Sequence, residues 1–195
     1  MISAQDVKKL RDSTGASMMQ CKKALEESKG NFEEAVKIMQ KNGSKIANKK
    51  CDRFTSEGMI GSYIHTNGKA GVLVEINCET DFVARGDEFK EFAHDIAMHI
   101  LAMNPQFVSV DEIDKNLIEA KRAEVIEETK GQDKPADIME KIIEGKVKKH
   151  FDDISLLTQP FVKNPDMTIG QLLTEKIAKF GENVKIKRFV KLEVE

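Results

Sequence analysis

The sequence predicts an α+β fold, and three patterns along the chain lead to this class. Short amphipathic segments with capping residues fill the N-terminal part and predict three helices. Apolar and polar residues alternate in 58–77 and again in 184–194, which predicts strands. Helical patterns rich in charge occupy a stretch at about 110–154. We therefore expect a three-helix domain at 1–43, then a linker, then an α+β core at 56–195 that carries an inserted helical hairpin.

The composition is that of a charge-rich globular protein. Of the 195 residues, 40% are hydrophobic and 33% are charged, and the net charge is −2. This balance lacks the basic excess of nucleic-acid-binding proteins. The aromatic residues are ten Phe, one Tyr and no Trp, and their pattern shows no obvious platform for stacking on bases. The three cysteines form no CxxC pair, which indicates reduced thiols and leaves open whether a dimer is disulfide-linked.

The chain carries no pattern that predicts membrane association. The N-terminal residues are polar and lack the apolar region of a signal peptide. No run approaches the roughly 20 apolar residues that span a bilayer. We expect a cytoplasmic protein that does not bind membranes.

Each of the three N-terminal helices has a residue suited to cap it. Ser3 pairs with Asp6 at the first helix, Ser17 begins the second, and Asn31 begins the third. Gly15 is expected to break the first helix. Met18 and Met19 are neighbours, so at most one of them lies fully in the core stripe and the other is exposed. An exposed methionine is an adaptable contact surface, although core packing with one stray surface residue is an equally good interpretation.

Residues 44–55 are polar and basic, and we interpret them as a linker. Their positive charges are Lys45, Lys49, Lys50 and Arg53. A contact to phosphate or RNA is one interpretation, but no aromatic residues alternate with these charges, which favours simple solvation.

The core is expected to contain a three-stranded antiparallel sheet. Residues 58–65 and 70–77 alternate on either side of an Asn67-Gly68 turn signal, which predicts a hairpin. Residues 184–194 alternate cleanly, and we expect a half-buried strand with a charged outer face that pairs with the hairpin.

The stretch at about 110–154 is expected to form two helices that mainly cover each other. Each has a narrow apolar stripe among many charges. Residues 131–135 contain Gly and Pro and are expected to form the turn between them.

The segment 77–86 connects a predicted strand to a predicted helix and holds Phe82 among charged and polar neighbours. A junction of this kind can hold a short exposed segment in a fixed position. From the pattern alone, burial of Phe82 in the core is favoured, because most aromatic residues are buried. The alternative is that Asp81 and Phe82 form a probe that enters a partner.

The sequence contains none of the motifs that predict covalent chemistry. No phosphate-binding loop, dinucleotide-binding fingerprint, zinc-protease motif or nucleophile elbow occurs. The histidines and cysteines lack metal-ligand spacing. Cys78 has no adjacent base. We therefore expect no enzyme activity, no cofactor and no metal.

Three ordered stretches resemble the signatures of the elongation factor Ts family. They are Leu10–Leu25, Thr80–Arg85, and Ser155–Val162 with the following Thr168–Leu173. They occur in the expected order and cover nearly the whole chain, so the chain is similar to a short form of the family with a single core half.

The resemblance implies a protein-binding role in translation. Members of the family bind the GTPase elongation factor Tu and act as guanine-nucleotide exchange factors. By this resemblance, Thr80, Asp81, Phe82 and Val83 form the segment that disturbs the partner's Mg²⁺ and phosphate site and promotes GDP release. Whether Asp81 acts on the metal and phosphates or only caps the turn of Phe82 stays open at this point.

The resemblance also implies further contacts and an assembly. Arg11, Met18 and Met19 are expected to touch the GTPase domain, with Lys22 and His99 as further candidates. For His99, which lies beside the apolar stripe of its helix, the residues themselves favour a partly buried core histidine. The N-terminal domain is expected to be UBA-like and the hairpin to be an antiparallel coiled coil that makes an accessory contact. Because longer members carry two core halves, a homodimer is expected to supply the second, and no direct binding of nucleotide or nucleic acid is expected.

Two other classes compete with this interpretation. A ubiquitin-type adaptor would explain the three N-terminal helices but not the Thr80–Arg85 motif. A non-catalytic RNA-binding protein would explain the basic linker but not the negative net charge.

Overall fold

The computed structural model describes residues 2–14, 16–130 and 135–194. It confirms the mixed class, with helices and a three-stranded antiparallel sheet. The helices are α1 (Ala4–Thr14), α2 (Met18–Glu27), α3 (Phe32–Lys50), α4 (Asp81–Ala84), α5 (Asp87–Met103), α6 (Lys115–Thr129), α7 (Ala136–Ile154) and α8 (Ile169–Phe180). The strands are β1 (Glu57–Ile64), β2 (Ala70–Cys78), β3 (Pro160–Phe161), β4 (Asn164–Thr168) and β5 (Val184–Glu193).

The chain forms two compact units, each assembled from separate stretches. The first takes the chain up to Gly61, then Glu75–Ala93 and Gln171–Lys187. The second takes Ser62–Val74, His94–Gly170 and the chain from Arg188 onward. Strands β1, β2 and β5 and helices α5 and α8 contribute residues to both units. The predicted boundaries of a three-helix domain and an α+β core stay a prediction.

The N-terminal helices begin at the residues that the sequence predicts. The hydroxyl of Ser3 and the carboxylate of Asp6 are 2.7 Å apart at the start of α1. Ser17 forms a reciprocal capping box with Gln20 at α2, and the Asn31 side chain accepts from the Glu34 amide at α3. Buried apolar residues from all three helices form one cluster, made of Val7, Leu10, Cys21, Ala24, Leu25 and Ala35. The predicted break at Gly15 lies outside the described residues.

The expectation that residues 44–55 form a linker is wrong over their first part, because α3 continues to Lys50. Packing explains the continuation. Gly43 is buried in α3, and a Cβ built there would lie 3.8 Å from both Ala178 and Thr174 of α8. Tertiary contact along this face overrides the weak helix propensity of the Gly-Ser pair. The basic residues Lys45, Lys49 and Lys50 are therefore helical.

The main sheet has the strand order β1-β2-β5. The turn between β1 and β2 follows the Asn-Gly signal, since Gly68 has φ of 68° and its amide donates to the carbonyl of His65. Gly68 is left-handed and Asn67 is not, so this is not a type I′ turn; a left-handed glycine after a turn is typical of slightly longer hairpin loops, which explains the glycine.

The charged outer face predicted for β5 is wrong in its second half. Val190 and Leu192 are 47% and 68% exposed, whereas the Lys191 side chain is only 22% exposed. The amine of Lys191 lies 3.1 Å from the side-chain oxygen of Asn104, so this lysine occupies a sheltered position and its apolar neighbours face solvent.

Helices α6 and α7 pack against each other, as the sequence predicts for a helical hairpin. Their shared cluster contains Ile113, Val125, Ile143, Val147 and Phe151. An ion pair of 3.4 Å between Lys146 and Glu128 and a second between Arg122 and Glu140 flank this cluster. Of the predicted turn at 131–135, residues 131–134 lie outside the described residues.

A second, two-stranded sheet is not predicted from the sequence. Strands β3 and β4 pair antiparallel, with Phe161 opposite Asn164. Pro160 and Pro165 lie in these strands, and proline generally disfavours strands. Proline is tolerated in so short a pair because its missing amide can face away from the partner strand.

Within the described ranges, every helix is too short or too polar to cross a lipid bilayer.

Candidate partner-binding surface

Helix α4 holds Phe82 in an exposed position. The helix is a single turn between the end of β2 and the start of α5. The Phe82 side chain is 85% exposed, whereas Ala84 in the same turn is 8% exposed. Burial of Phe82 in the core, which the pattern alone favours, is therefore wrong. The turn is anchored through Ala84 and half-buried Val83, and it points its aromatic ring toward solvent.

Thr80 caps this turn. Its hydroxyl oxygen accepts from the Val83 amide over 3.5 Å. Asp81 instead forms an ion pair of 3.0 Å with Arg85. The alternative that Asp81 caps the turn of Phe82 is therefore wrong, because Thr80 occupies the capping position.

The residues before α4 are tied to the loop between α8 and β5. The carboxylate of Glu182 accepts from the backbone amide of Thr80 over 3.0 Å and from its hydroxyl over 2.6 Å. In the opposite sense, the carboxylate of Glu79 accepts from the backbone amide of Asn183 over 2.6 Å. We call these three bonds the crossed clamp.

Neighbouring residues complete the attachment. The side-chain amide of Asn183 donates to the carbonyl oxygens of Cys51 and Arg53 over 3.2 and 2.8 Å. The Arg53 guanidinium lies 3.4 Å from Glu79. The hydrogen bond from Asn183, supported by Arg53, holds the pKa of Glu79 below its ordinary value, so this carboxylate is charged near neutral pH.

Cys78 lies at the end of β2, directly before this segment. Its thiol is buried and donates to the Thr80 carbonyl over 3.1 Å. Burial, with the nearby charge of Glu182, raises the pKa of the thiol to about 11. The thiol is therefore protonated near neutral pH and contributes structure rather than a nucleophile.

Arg11, Met18 and Met19 lie on α1 and α2. Met18 is 44% exposed and Met19 is 83% exposed, so both side chains, and not only one, face solvent. A groove with a volume of about 520 Å³ is lined by Arg11, Ala16, Ser17, Met18, Glu88 and Lys179. Glu88 and Lys179 form an ion pair of 2.7 Å on its wall. The groove thus combines an exposed thioether with charges of both signs.

The two sets of predicted residues belong to the same compact unit. Residues 80–83 and the residues Arg11, Met18 and Met19 all fall in the unit that begins at the N-terminus. Lys22 is also in this unit, and its amine lies 3.9 Å from Glu26 on an exposed helix face.

The structure does not support His99 as a residue that contacts a partner. Its side chain is completely buried in the other unit. One ring nitrogen lies 3.1 Å from the side-chain oxygen of Gln159, and the other accepts from the Val162 amide over 3.2 Å. Burial lowers the pKa of His99, which keeps the ring neutral. A ring with both nitrogens used internally has no atom left for a direct contact with a partner.

Sequence reasoning missed the residues that hold the Phe82 segment. Glu182 and Asn183 lie directly after α8 and Gly181, and Glu182 is separated from Thr80 by 102 positions. No local motif marks such a contact. Outside the candidate site, sequence reasoning also did not indicate that Phe54, in the segment after α3, is 85% exposed. Across the part of the chain that the structure describes, no group of three or more His, Cys, Asp or Glu residues could hold a metal ion.

The fold and these exposed side chains are typical of a protein that acts through contacts with another protein. Comparison with known families is consistent with this class: the family model described as "Elongation factor TS" matches residues 3–195. The chain belongs to the elongation factor Ts family and is a translation elongation factor. The function of this family is to bind elongation factor Tu and promote release of its GDP.

Curated relatives with the name elongation factor Ts cover the whole chain. The protein of Carboxydothermus hydrogenoformans is 51% identical over 194 residues, which is 100% of this chain and 89% of its own. That of Thermodesulfovibrio yellowstonii is 50% identical over 99% of this chain and 96% of its own. That of Thermosipho melanesiensis is 49% identical over 100% of this chain and 99% of its own.

Proposed function

We propose that this chain is a guanine-nucleotide exchange factor that binds elongation factor Tu and makes or breaks no covalent bond itself. The observation that carries the proposal is the 85% exposed ring of Phe82 on a turn held by the crossed clamp. Phe82 enters an apolar crevice near the nucleotide site of the partner. There it displaces the groups that position Mg²⁺ and the phosphates, and GDP leaves.

The energetics of this coupling are reciprocal. Burial of one phenylalanine side chain is worth roughly 1.5–3 kcal/mol. This free energy is gained only in the state in which the nucleotide site is disturbed. Linkage then requires that the exchange factor weakens nucleotide binding by the same factor by which nucleotide weakens its own binding. A new nucleotide therefore expels the exchange factor and completes the cycle.

The N-terminal helices supply the second contact in this proposal. They form a UBA-like domain whose Arg11, Met18 and Met19 touch the GTPase domain, with Lys22 at the edge. Support comes from the exposure of both methionines, since flexible thioether side chains adapt to a partner surface at low cost.

A homodimer is part of the proposal. In the second unit, the strands expose apolar side chains at Ile64, Leu73, Val190 and Leu192, and Val194 directly after β5 is also exposed. Exposed apolar area of this kind favours association. Light scattering at working concentration should give a dimeric mass for the wild type and a lower mass for Leu192→Lys, with Lys185→Ala as a control on the same strand. A monomeric wild type would contradict this part of the proposal.

The remaining parts follow from the family and the composition. Helices α6 and α7 form an antiparallel coiled coil that makes an accessory contact, and the protein acts in the cytoplasm. With a net charge of −2, direct binding of nucleic acid is not expected. A tight RNA affinity that falls steeply with salt would favour the RNA-binding alternative instead.

The experiment is stopped-flow release of fluorescent GDP from elongation factor Tu. Wild type should accelerate release, and Phe82→Ala should lose most of the acceleration. Phe54→Ala is the matched control, because Phe54 is equally exposed at 85% and belongs to the same unit.

The outcomes separate the parts of the proposal. No acceleration by wild type would overturn the exchange function. Fast release by Phe82→Ala would keep the function and move the action to the N-terminal helices or the hairpin. Equal losses in Phe82→Ala and Phe54→Ala would indicate a general effect of removing exposed aromatic rings.

A further inference from the structure

The loop between α8 and β5 is attached to the Phe82 segment by bonds that run in both directions. Glu182 accepts two hydrogens from Thr80, and Glu79 accepts one from Asn183. Bonds in which an acceptor is ionised are shorter and stronger than those between neutral groups. The distances of 2.6–3.0 Å in the crossed clamp are consistent with such bonds.

The bond from the Thr80 hydroxyl to Glu182 also determines how Thr80 can cap α4. A threonine hydroxyl has one hydrogen and two lone pairs. Because its hydrogen is donated to Glu182, the lone pairs are left for the Val83 amide, which lies 3.5 Å away. Glu182 therefore fixes the orientation of the capping oxygen.

Helix α4 depends on this arrangement because it is too short to be stable by itself. It contains four residues, and a first helical turn is unfavourable without tertiary support. Its ring-bearing residue, Phe82, is exposed and contributes no burial to hold the turn. Beside the buried side of the turn at Ala84 and Val83, the capping residue and its partner Glu182 are the polar contacts that orient it.

The two clamp residues of the loop differ in their surroundings. Asn183 is 2% exposed and bonds to backbone oxygens of two residues after α3, which attaches the loop to its own unit. Glu182 is half-buried, and its two bonds both go to Thr80. Substitution of Glu182 therefore releases Thr80 while Asn183 still holds the loop.

We propose that Glu182 is a positioning residue for nucleotide exchange, which orients Phe82 through Thr80 before the partner is met. The inference rests on the proposed function. An orientation that exists before binding does not have to be ordered at the expense of binding free energy. Removal of the carboxylate slows the step in which Phe82 enters the partner, while the first encounter through the N-terminal helices is unchanged.

The test is GDP release from elongation factor Tu measured over a range of concentrations of Glu182→Gln. The variant keeps the size of the side chain but has one acceptor oxygen in place of two. The maximal release rate should fall roughly tenfold, and the half-saturating concentration should stay close to that of wild type. The matched control is Glu91→Gln, an exposed glutamate on α5 in the same unit, which should release GDP as wild type does.

A merely structural effect gives a different result. Partial unfolding lowers the active concentration, which raises the apparent half-saturating concentration and leaves the maximal rate unchanged. In a double-mutant cycle, Glu182→Gln should cause no further loss when Phe82 is already alanine, because both act on the same step. Additive losses would overturn the inference.

Hydrogen exchange gives a reading that does not require the partner. The amides of Thr80 and Val83 should lose protection in Glu182→Gln, and those of buried α5 should keep it. If wild type accelerates GDP release and Glu182→Gln matches it, the inference falls and the proposed function stands. If wild type fails to accelerate release, both the proposed function and the inference are wrong. This conclusion then holds for any result of the hydrogen-exchange measurement.

Discussion

The carboxylate of Asp81 and the guanidinium of Arg85 form an ion pair of 3.0 Å across one turn of the chain. Both side chains are more than half exposed, so solvent screens the pair. Because Thr80 caps the turn, two roles remain for the charge of Asp81. It forms the ion pair with Arg85, or it acts directly on the partner. Variants of the two residues distinguish these roles.

Asp81→Asn should slow the release of GDP from elongation factor Tu, whereas Arg85→Ala should change it by no more than about twofold. An exposed pair four residues apart is worth about 0.3–0.5 kcal/mol, so its loss hardly affects the turn. The charge of Asp81 itself is expected to act on the phosphates or metal ligands of the partner. Stopped-flow release compares the variants, and equal losses would instead assign the effect to the ion pair.

Phe82→Ala should leave the free energy of unfolding within about 0.5 kcal/mol of wild type, because the ring is exposed. Phe92→Ala on α5 removes a ring that is 1% exposed and should cost about 3–5 kcal/mol. Urea titrations of both variants measure this. A large loss of stability in Phe82→Ala would mean that the ring packs in solution.

Acid should destabilise the fold through His99. Burial lowers its pKa in the folded state below the ordinary value of 6.5. Between the two pKa values the unfolded chain binds more protons, so the contribution is complete above 6.5 and is lost as the pH falls toward the folded pKa. Urea titrations on both sides of this value should give a lower free energy of unfolding at the more acidic pH.

The control for that measurement is a second histidine. His99→Gln should flatten the dependence of stability on pH below 6.5, whereas His65→Gln should preserve it, since His65 is exposed. An unchanged slope in His99→Gln would assign the acid sensitivity to other groups.

Gly61→Ala should destabilise the first unit by about 1–3 kcal/mol. A Cβ at this position would lie 2.8 Å from the Cβ of Ala93 and 2.9 Å from its carbonyl oxygen, so strand and helix would have to separate. Gly145→Ala is the opposite case. Gly145 lies in α7, and a new Cβ there would have no neighbouring atom within 4 Å. The substitution should therefore raise the free energy of unfolding by about 0.5–1 kcal/mol. Thermal unfolding compares the two variants, and a neutral Gly61→Ala would mean that β1 can shift away from α5.

Local chemistry made much of the fold predictable. Ser17, Asn31 and the Asn67-Gly68 turn act within three or four residues, and each is found where the sequence predicts it. Contacts between distant segments were not predictable in the same way. The extension of α3 through Gly43 depends on α8, and the exposure of Val190 and Leu192 depends on how the end of β5 packs.

In the candidate site, too, local patterns were predictable and contacts between distant segments were not. The family motif identifies Thr80–Arg85, but its pattern favours burial of Phe82, and nothing near it in sequence indicates Glu182. A carboxylate 102 positions away becomes relevant only when the fold brings two loops together.

The burial of two of the three cysteines has a practical consequence. Cys21 and Cys78 are buried, and Cys51 is exposed at the end of α3. A maleimide dye should therefore attach to one defined position without mutagenesis. Because the carbonyl of Cys51 accepts from Asn183, that dye would report optically on the loop that holds Thr80.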